Sequence, residues 1–246
     1  MKKTTKNQEK KLRDSSARDY EHWYKASKGI LFDLREKNLF REHARSTQAD
    51  RILEIGSGTG RITEVIAPFV CSGVAFDFSN SSLKILQEKN LENIEIIELD
   101  ATTAFPFGNN VFDIASSCQV VQHMYLEDAL HVFSETHRVL KPGGTFIMSV
   151  YNFHYILYKE VFEVVNKEGL YFKRFSPGYI RYLAQSVGFS VQEIKYYKSI
   201  LTPFKIFNWL PSTLGGGVLN FDRFICAFPI INRYVSNYVW CCFEKK

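Results

Sequence analysis

Glycines at 56, 58 and 60 alternate in the string RILEIGSGTG, and Glu54 stands two residues ahead of the first. Glycine is used where backbone must take a positive φ or come within contact distance of a ligand, and a helix starting behind such a loop offers free N–H groups. Residues that can accept hydrogen bonds or protons follow at intervals: Asp77, Asp100, Asp113, Cys118, His123 and His154. Loop and carboxylates together suit a nucleotide-like ligand. A dinucleotide fingerprint, G-x-G-x-x-G, fails by one residue, because its third glycine would fall on Arg61.

The elements that must position these residues are legible from periodicity. Arg51 to Ile55 read as a short strand, and Ile62, Val65, Ile66 and Phe69 fall at helical spacing until Pro68 stops the helix. A second strand over 73–76 closes in Asp77, and a capped helix over 80–89 follows. A third strand over 94–98 runs into Asp100, and a fourth begins at 111–115 and ends near Ser117, with Cys118 and Gln119 at its mouth. Leu126, Leu130, Phe133, His137 and Leu140 trace one helix face, which makes His137 a core histidine. Pro142 and Gly143–Gly144 end that helix before a fifth strand over 145–150; a helix over 176–187 and strands over 191–198 and 235–244 complete the series. In a doubly wound α/β sheet of this kind, ligands sit at the carboxyl ends of the strands, near the switch in strand order. There Asp77 can accept both hydroxyls of a ribose.

With these residues in this order, the chain resembles the class I S-adenosylmethionine-dependent methyltransferases, in particular the methyltransferase type 11-like group that acts on small molecules, quinones, lipids and sugars. Glu54, Gly56, Gly58 and Gly60 match motif I of that family, E/D-x-G-x-G-x-G, and FDFSNSSL resembles its ribose-holding segment. Asp100-Ala101, then Phe105-Pro106-Phe107, then Phe112-Asp113 resembles the segment where an acid meets the adenine amino group and the next N–H reaches the ring. RVLKPGG before a strand is the most specific string. The match is good over residues 50–150 and loose over 176–198.

This resemblance implies a Rossmann-like sheet of seven strands, mostly parallel with the last antiparallel, and helices on both faces. It implies S-adenosyl-L-methionine as cofactor, held by Glu54, Gly56, Ser57, Gly58, Gly60, Asp77, Phe78, Asp100, Ala101, Ser117 and Cys118. Methyl transfer by in-line displacement to a small hydrophobic or aromatic acceptor follows, with no metal. Where amine-directed nucleic-acid and glutamine methyltransferases of this superfamily carry N/D-P-P-Y/F this chain has SSCQV, which argues against that class. Cys118 lacks the preceding proline of the cytosine-C5 enzymes and reads as a small half-buried residue, and Asp113 as structural. His123 lies on the substrate side, as a base for a hydroxyl acceptor or as a loop scaffold, and His154 is the second candidate base.

Composition sets the remaining bounds. The net charge of +5 resides entirely in residues 1–50, which hold 13 Lys/Arg against 8 Asp/Glu, while 51–246 hold 18 of each. Residues 1–19 are expected to form a loosely ordered basic tail, free in solvent or touching nucleic acid or an anionic membrane. Residues 20–246 then form one domain: a helical cap over 20–48 broken near Gly29, a cofactor core over 50–150, and substrate-side insertions over 151–175 and 199–234. The 21 Phe and 13 Tyr exceed ordinary usage, so aromatics of the insertions can wall a pocket, and 199–234 can touch a membrane surface. Trp23 and Tyr24 either cover the ligand or pack the core. The odd number of cysteines, 5 without a C-x-x-C pair, and the absence of an apolar leader fit a cytoplasmic protein. Competing functions are a non-catalytic cofactor-binding adaptor, RNA methylation through the basic tail, and a nicotinamide dehydrogenase.

Overall fold

The computed structural model describes residues 5–25, 27–47, 49–155, 163–165, 170–199, 232–234 and 236–246. Two helices, α1 (Lys6–Lys25) and α2 (Ser27–Thr47), precede the alternating core. The core runs β1 (Arg51–Ile55), α3 (Thr63–Ile66) with a 3-10 turn over Ala67–Phe69, β2 (Ser72–Asp77), α4 (Asn80–Gln87), β3 (Ile94–Glu98), β4 (Phe112–Cys118), α5 (Leu126–Val139) and β5 (Leu140–Tyr151). A hairpin, β6 (Glu163–Val165) and β7 (Tyr171–Lys173), leads to α6 (Pro177–Ser186), β8 (Phe189–Ser199) and β9 (Ser236–Lys245).

Seven strands form one sheet in the order β3-β2-β1-β4-β5-β9-β8, and β6 pairs with β7 alone. β9 is antiparallel to both β5 and β8, and the pairs on the β3 to β5 side are parallel. Strand order reverses between β1 and β4, which makes that junction the switch point. Helices cover both faces. On one, α5 and α6 bury Val132, Phe133, Ile180 and Leu183 against Leu53, Phe76, Phe146 and Phe243. On the other, α2, α3 and α4 bury Phe40, Ile66 and Leu86 against Ile52, Ile114, Ile147 and Trp240. Strands buried on both faces explain the runs of apolar residues without alternation.

The sheet and its antiparallel last strand agree with the sequence, and four details differ. Residues 6–19 belong to α1 rather than to a loose tail, held by contacts of their charged side chains with the sheet's rim. α1 ends at Lys25 and α2 begins at Ser27, so Gly29 lies inside a helix and not at a break. The helix behind the glycine loop is short, because Pro68 converts its end to a 3-10 turn. β5 starts at Leu140, paired with Phe112, and a register shift between Phe112 and Ile114 absorbs the Pro142–Gly144 irregularity without ending the strand. Arg138, in the most specific string, donates to the carbonyls of Phe105 (3.0 Å) and Phe107 (2.7 Å) and so pins the loop that follows Asp100. Residues 200–231 of the second insertion, with their proposed membrane contact, lie outside the described residues.

Phe133 is fully buried, with ring centroids 5.3 Å from Phe146 and 5.6 Å from Phe243. Phe133→Ala should cost about 3–5 kcal/mol by leaving a cavity between α5 and the sheet. Urea unfolding should show a lower midpoint at unchanged slope.

Candidate active site

β1 delivers the chain into a loop in which Gly56, Gly58 and Gly60 have φ of 67°, 54° and 76°. The three glycines serve different ends. A Cβ on Gly60 would lie 2.1 Å from a methyl of buried Leu86, and one on Gly56 2.5 Å from a methyl of Val120, so both are packing requirements. A Cβ on Gly58 would meet nothing within 4 Å, and the middle glycine therefore faces open space. The loop is tied to the end of β2. Ser57 N–H donates to the Phe76 carbonyl (2.9 Å) and Gly58 N–H to Asp77 Oδ2 (2.9 Å).

Asp77 Oδ1 takes a second N–H, from Ser79 (2.8 Å), and half-buried Phe78 lies between them in sequence. Burial raises the Asp77 carboxyl, and these two N–H groups offset part of that rise. Ser79 caps α4, one residue ahead of the helix start expected from the sequence. Beneath the loop, Glu54 is 3% exposed with one carboxyl oxygen unpartnered, and burial pushes it up to about 7. The buried hydroxyls of Ser57, Ser116 and Ser117 are also unpartnered. Buried polar atoms without partners are uncommon, and a cluster of them beside an open glycine marks where a polar ligand or water is expected.

Asp100 accepts from Thr102 N–H (2.9 Å) and its hydroxyl (2.8 Å), and from Lys6 of α1 (3.1 Å). Burial works to raise this carboxyl, but those donors together hold it below the usual carboxylate range. Ala101 is buried beside it. α1 lies along the rim of the same cleft. Lys10 pairs with Glu98, Asp14 accepts from Ser79 Oγ (2.7 Å) and Ser81 N–H (3.0 Å), and Glu21 accepts from Thr59 Oγ1 (2.6 Å). α1 thus touches the loops after β1, β2 and β3.

Across the switch point lies a charge cluster that no local sequence signal announces. Arg61, read above only as a misplaced glycine, is 5% exposed and pairs with Asp33 (2.7 Å) and Glu36 (2.5 Å) of α2. Its guanidinium also lies 4.2 Å from the ring centroid of Tyr24 and 3.1 Å from Cys118 Sγ. Tyr24 therefore packs in the core, 7% exposed, whereas Trp23 is 47% exposed. Strand alternation sets Cys118 on the α2 side of the sheet and Ser117 on the opposite side. Gln119, just past β4, has φ of 59°. The signal for Asp33 and Glu36 was acids placed among the apolar positions of a helix, which by itself names no partner.

His123 Nδ1 lies 2.9 Å from the Tyr171 carbonyl, so that nitrogen carries the proton, and the Nε2 lone pair faces the Gln122 amide nitrogen at 3.5 Å. Burial, aided by the Arg13 charge, pushes its pKa down to about 3. Tyr125 stacks on Tyr171 at 4.3 Å, and Tyr151 contacts both Phe172 (5.7 Å) and Tyr238 (4.9 Å). His154 is differently engaged, with its Nε2 accepting from Arg233 (2.8 Å) and its pKa lowered by burial and by that charge. Asp113 binds the Arg51 N–H (2.9 Å) and Lys141 (2.7 Å), away from the glycine loop in the sequence of β4. Among the described residues no cluster of His, Cys, Asp and Glu could hold a metal, and no helix is long and apolar enough to cross a membrane.

Residues 53–148 match the family model described as a methyltransferase domain. Demethylmenaquinone methyltransferase from Staphylococcus epidermidis is 28% identical over 166 residues, 63% of this chain and 65% of that protein's length. This chain thus spans just under two thirds of that relative. Among solved structures, the DhpI–SAH complex superposes with a TM-score of 0.63 at 14% identity, covering 97% of this chain and 96% of that one. Burkholderia thailandensis 1,6-didemethyltoxoflavin-N1-methyltransferase, with bound 1,6-didemethyltoxoflavin and S-adenosylhomocysteine, gives 0.63 at 14% identity, covering 98% and 88%. At these identities the structures share a fold with this chain.

Gly58 and Gly60 should respond differently to alanine. Gly58→Ala should lose about 1–3 kcal/mol through its positive φ alone, whereas Gly60→Ala adds the collision with Leu86 and should lose more in the same urea titration. His123 generates a pH dependence. Its folded pKa lies below the unfolded value of about 6.5, so the unfolded chain binds the extra proton on acidification. The stability it contributes is full above that value and falls as pH drops toward 3. Unfolding free energies measured from pH 7 to 4 should fall less steeply in His123→Gln, by at most about 1.4 kcal/mol per pH unit.

Proposed function

We propose, on the premise that residues 53–148 are a methyltransferase domain, that this protein transfers a methyl group from S-adenosyl-L-methionine to a small hydrophobic or aromatic acceptor. The observation that carries this reading is Gly58, open on its ligand side and tied by its N–H to Asp77, above the unpartnered Glu54 and Ser57. Bound there, the cofactor supplies a methyl already activated by a positive sulfur, so in-line attack needs alignment and exclusion of water rather than a metal.

The chain's own residues divide that work. Glu54 and Ser57 offer an acceptor and a hydroxyl to the amino-acid end, beside the open face of Gly58. Asp77 uses one lone pair per oxygen on Ser79 and Gly58, and each oxygen keeps another for a ribose hydroxyl. Phe78, Asp100 and Ala101 flank the adenine side, while Ser117 and Cys118 close the cleft at β4. Tyr151, Phe172 and Tyr238 supply aromatic surface on the acceptor side.

His123 is the candidate for meeting an acceptor hydroxyl, which would take the place of the long 3.5 Å Gln122 contact on its Nε2. Its neutral Nε2 accepts a hydrogen bond, but a nitrogen held near pKa 3 is too weak a base to keep the proton. It therefore orients the acceptor, and the proton leaves to solvent. His154, with its lone pair on Arg233, does not take this role. The names of the relatives, acting on demethylmenaquinone and on 1,6-didemethyltoxoflavin, support a small-molecule acceptor.

Calorimetry with S-adenosylhomocysteine should show binding to the wild type, and Asp77→Asn should weaken it about tenfold or more, roughly 1.4 kcal/mol. Incubating the enzyme with deuteriomethyl cofactor and a metabolite extract should add a labelled methyl to a small molecule by mass spectrometry. Absence of binding by both the methylated and demethylated cofactor would overturn this reading, and binding without any labelled product would favour an adaptor.

A further inference from the structure

Gln119 is a non-glycine residue with φ of 59°, one position past the end of β4 at the switch point. Such a conformation persists only where the surroundings over-determine it, and it then points to a positional role. Two contacts hold it. Its N–H donates to the Ser149 carbonyl (2.9 Å), and its side-chain amide donates to both carboxyl oxygens of Glu36 (2.9 and 3.0 Å).

Glu36 comes from α2 and has no exposed surface. The same carboxylate accepts from Arg61 (2.5 Å), from the Ser149 hydroxyl (3.1 Å) and from the Tyr197 hydroxyl. One buried charge therefore joins the residue after Gly60, the tip of β4, the end of β5 and the body of β8. Gln119 in turn sets the direction of Val120, whose methyls lie 2.5 and 2.8 Å from where a Cβ on Gly56 would stand. Contact runs without a gap from α2 through Glu36, Gln119 and Val120 to the first glycine of the loop.

We infer that Glu36 is a positioning residue for the cofactor: it holds the β4 tip against the glycine loop through Gln119, and cofactor affinity depends on that grip although Glu36 lies beneath the ligand-facing groups. This rests on the cofactor reading above. It also makes α2 an integral part of the cofactor site.

Gln119→Gly tests the positioning, read on fully folded protein. Glycine takes this φ without strain but gives up both hydrogen bonds to the buried Glu36 carboxylate, so the variant should unfold at a lower temperature than the wild type and, at a temperature where both are fully folded, bind S-adenosylhomocysteine at least fivefold more weakly. Glu36→Gln, which keeps the shape and removes the charge, should weaken binding similarly, and the double variant should be no worse than the poorer single one, because both break one connection. Wild-type binding is measured first, so its absence would indict the cofactor reading and not this one. Given wild-type binding, a Gln119→Gly variant within fivefold of wild type, or losses that add in the double variant, would overturn the inference. Should Glu36→Gln fail to fold, the Gln119→Gly comparison still decides.

Discussion

The reversal of strand order between β1 and β4 is the constraint from which the site follows. Two neighbouring parallel strands send their chains in opposite directions at their carboxyl ends, and neither loop can cover the gap. Backbone groups there must find partners other than a strand ladder. Gly58 finds one in Asp77, on the next strand over, and the loop is thereby fixed in an open form. The sheet's composition changes to suit. On the α2 side, Ile52 gives way to Glu54, Ala75 to Asp77, Ile114 to Ser116 and Cys118, and Ile147 to Ser149. Each strand is apolar where it supports the fold and polar two to four residues later, where the gap begins.

That polar edge has to be covered without leaving charges stranded. Arg61 is buried between Asp33 and Glu36, with Lys37 on the far oxygen of Asp33 (2.8 Å). Taking such ions out of water is costly, and a well-packed apolar cluster of the same volume is often no less stable. Stability alone therefore does not explain the cluster. What it supplies is definition: a carboxylate with several directional donors has one good position, and removing any partner leaves a buried charge at a cost of roughly 3–5 kcal/mol. α2 is thereby held in one register over the switch point, where an apolar face alone would tolerate sliding.

Local chemistry was legible in the sequence, and long-range pairing was not. The glycine spacing announced a strand, a loop and a helix, Ser176 announced a cap that the structure contains, and Asp77 was readable as the acid that closes β2. Each of these signals acts within a few residues of itself. Arg61 meets Glu36 across 25 residues and Glu36 meets Ser149 across 113, so nothing near any of them in sequence announces the meeting. α1 escaped for a related reason. Its first two turns carry almost no apolar residues, and charge pairing with Glu98 and Asp100 on the sheet replaces the amphipathic stripe from which helices are ordinarily read.

The two helices of the cap are consequently held by different physics. α2 is fixed by a charge cluster removed from solvent, which salt screens little. The first half of α1 rests on Lys6–Asp100 and Lys10–Glu98, whose side chains keep 33–60% of their exposure. Exposed pairs of this kind are worth about 0–1 kcal/mol each and weaken as ionic strength rises. The second half is anchored by buried Ala17, Glu21 and Tyr24, the last of them against Arg61. Lys6 and Asp14 therefore contact Asp100, Ser79 and Ser81 from the more weakly held half of the helix, and the firm end of the same helix stays on Thr59 and Arg61.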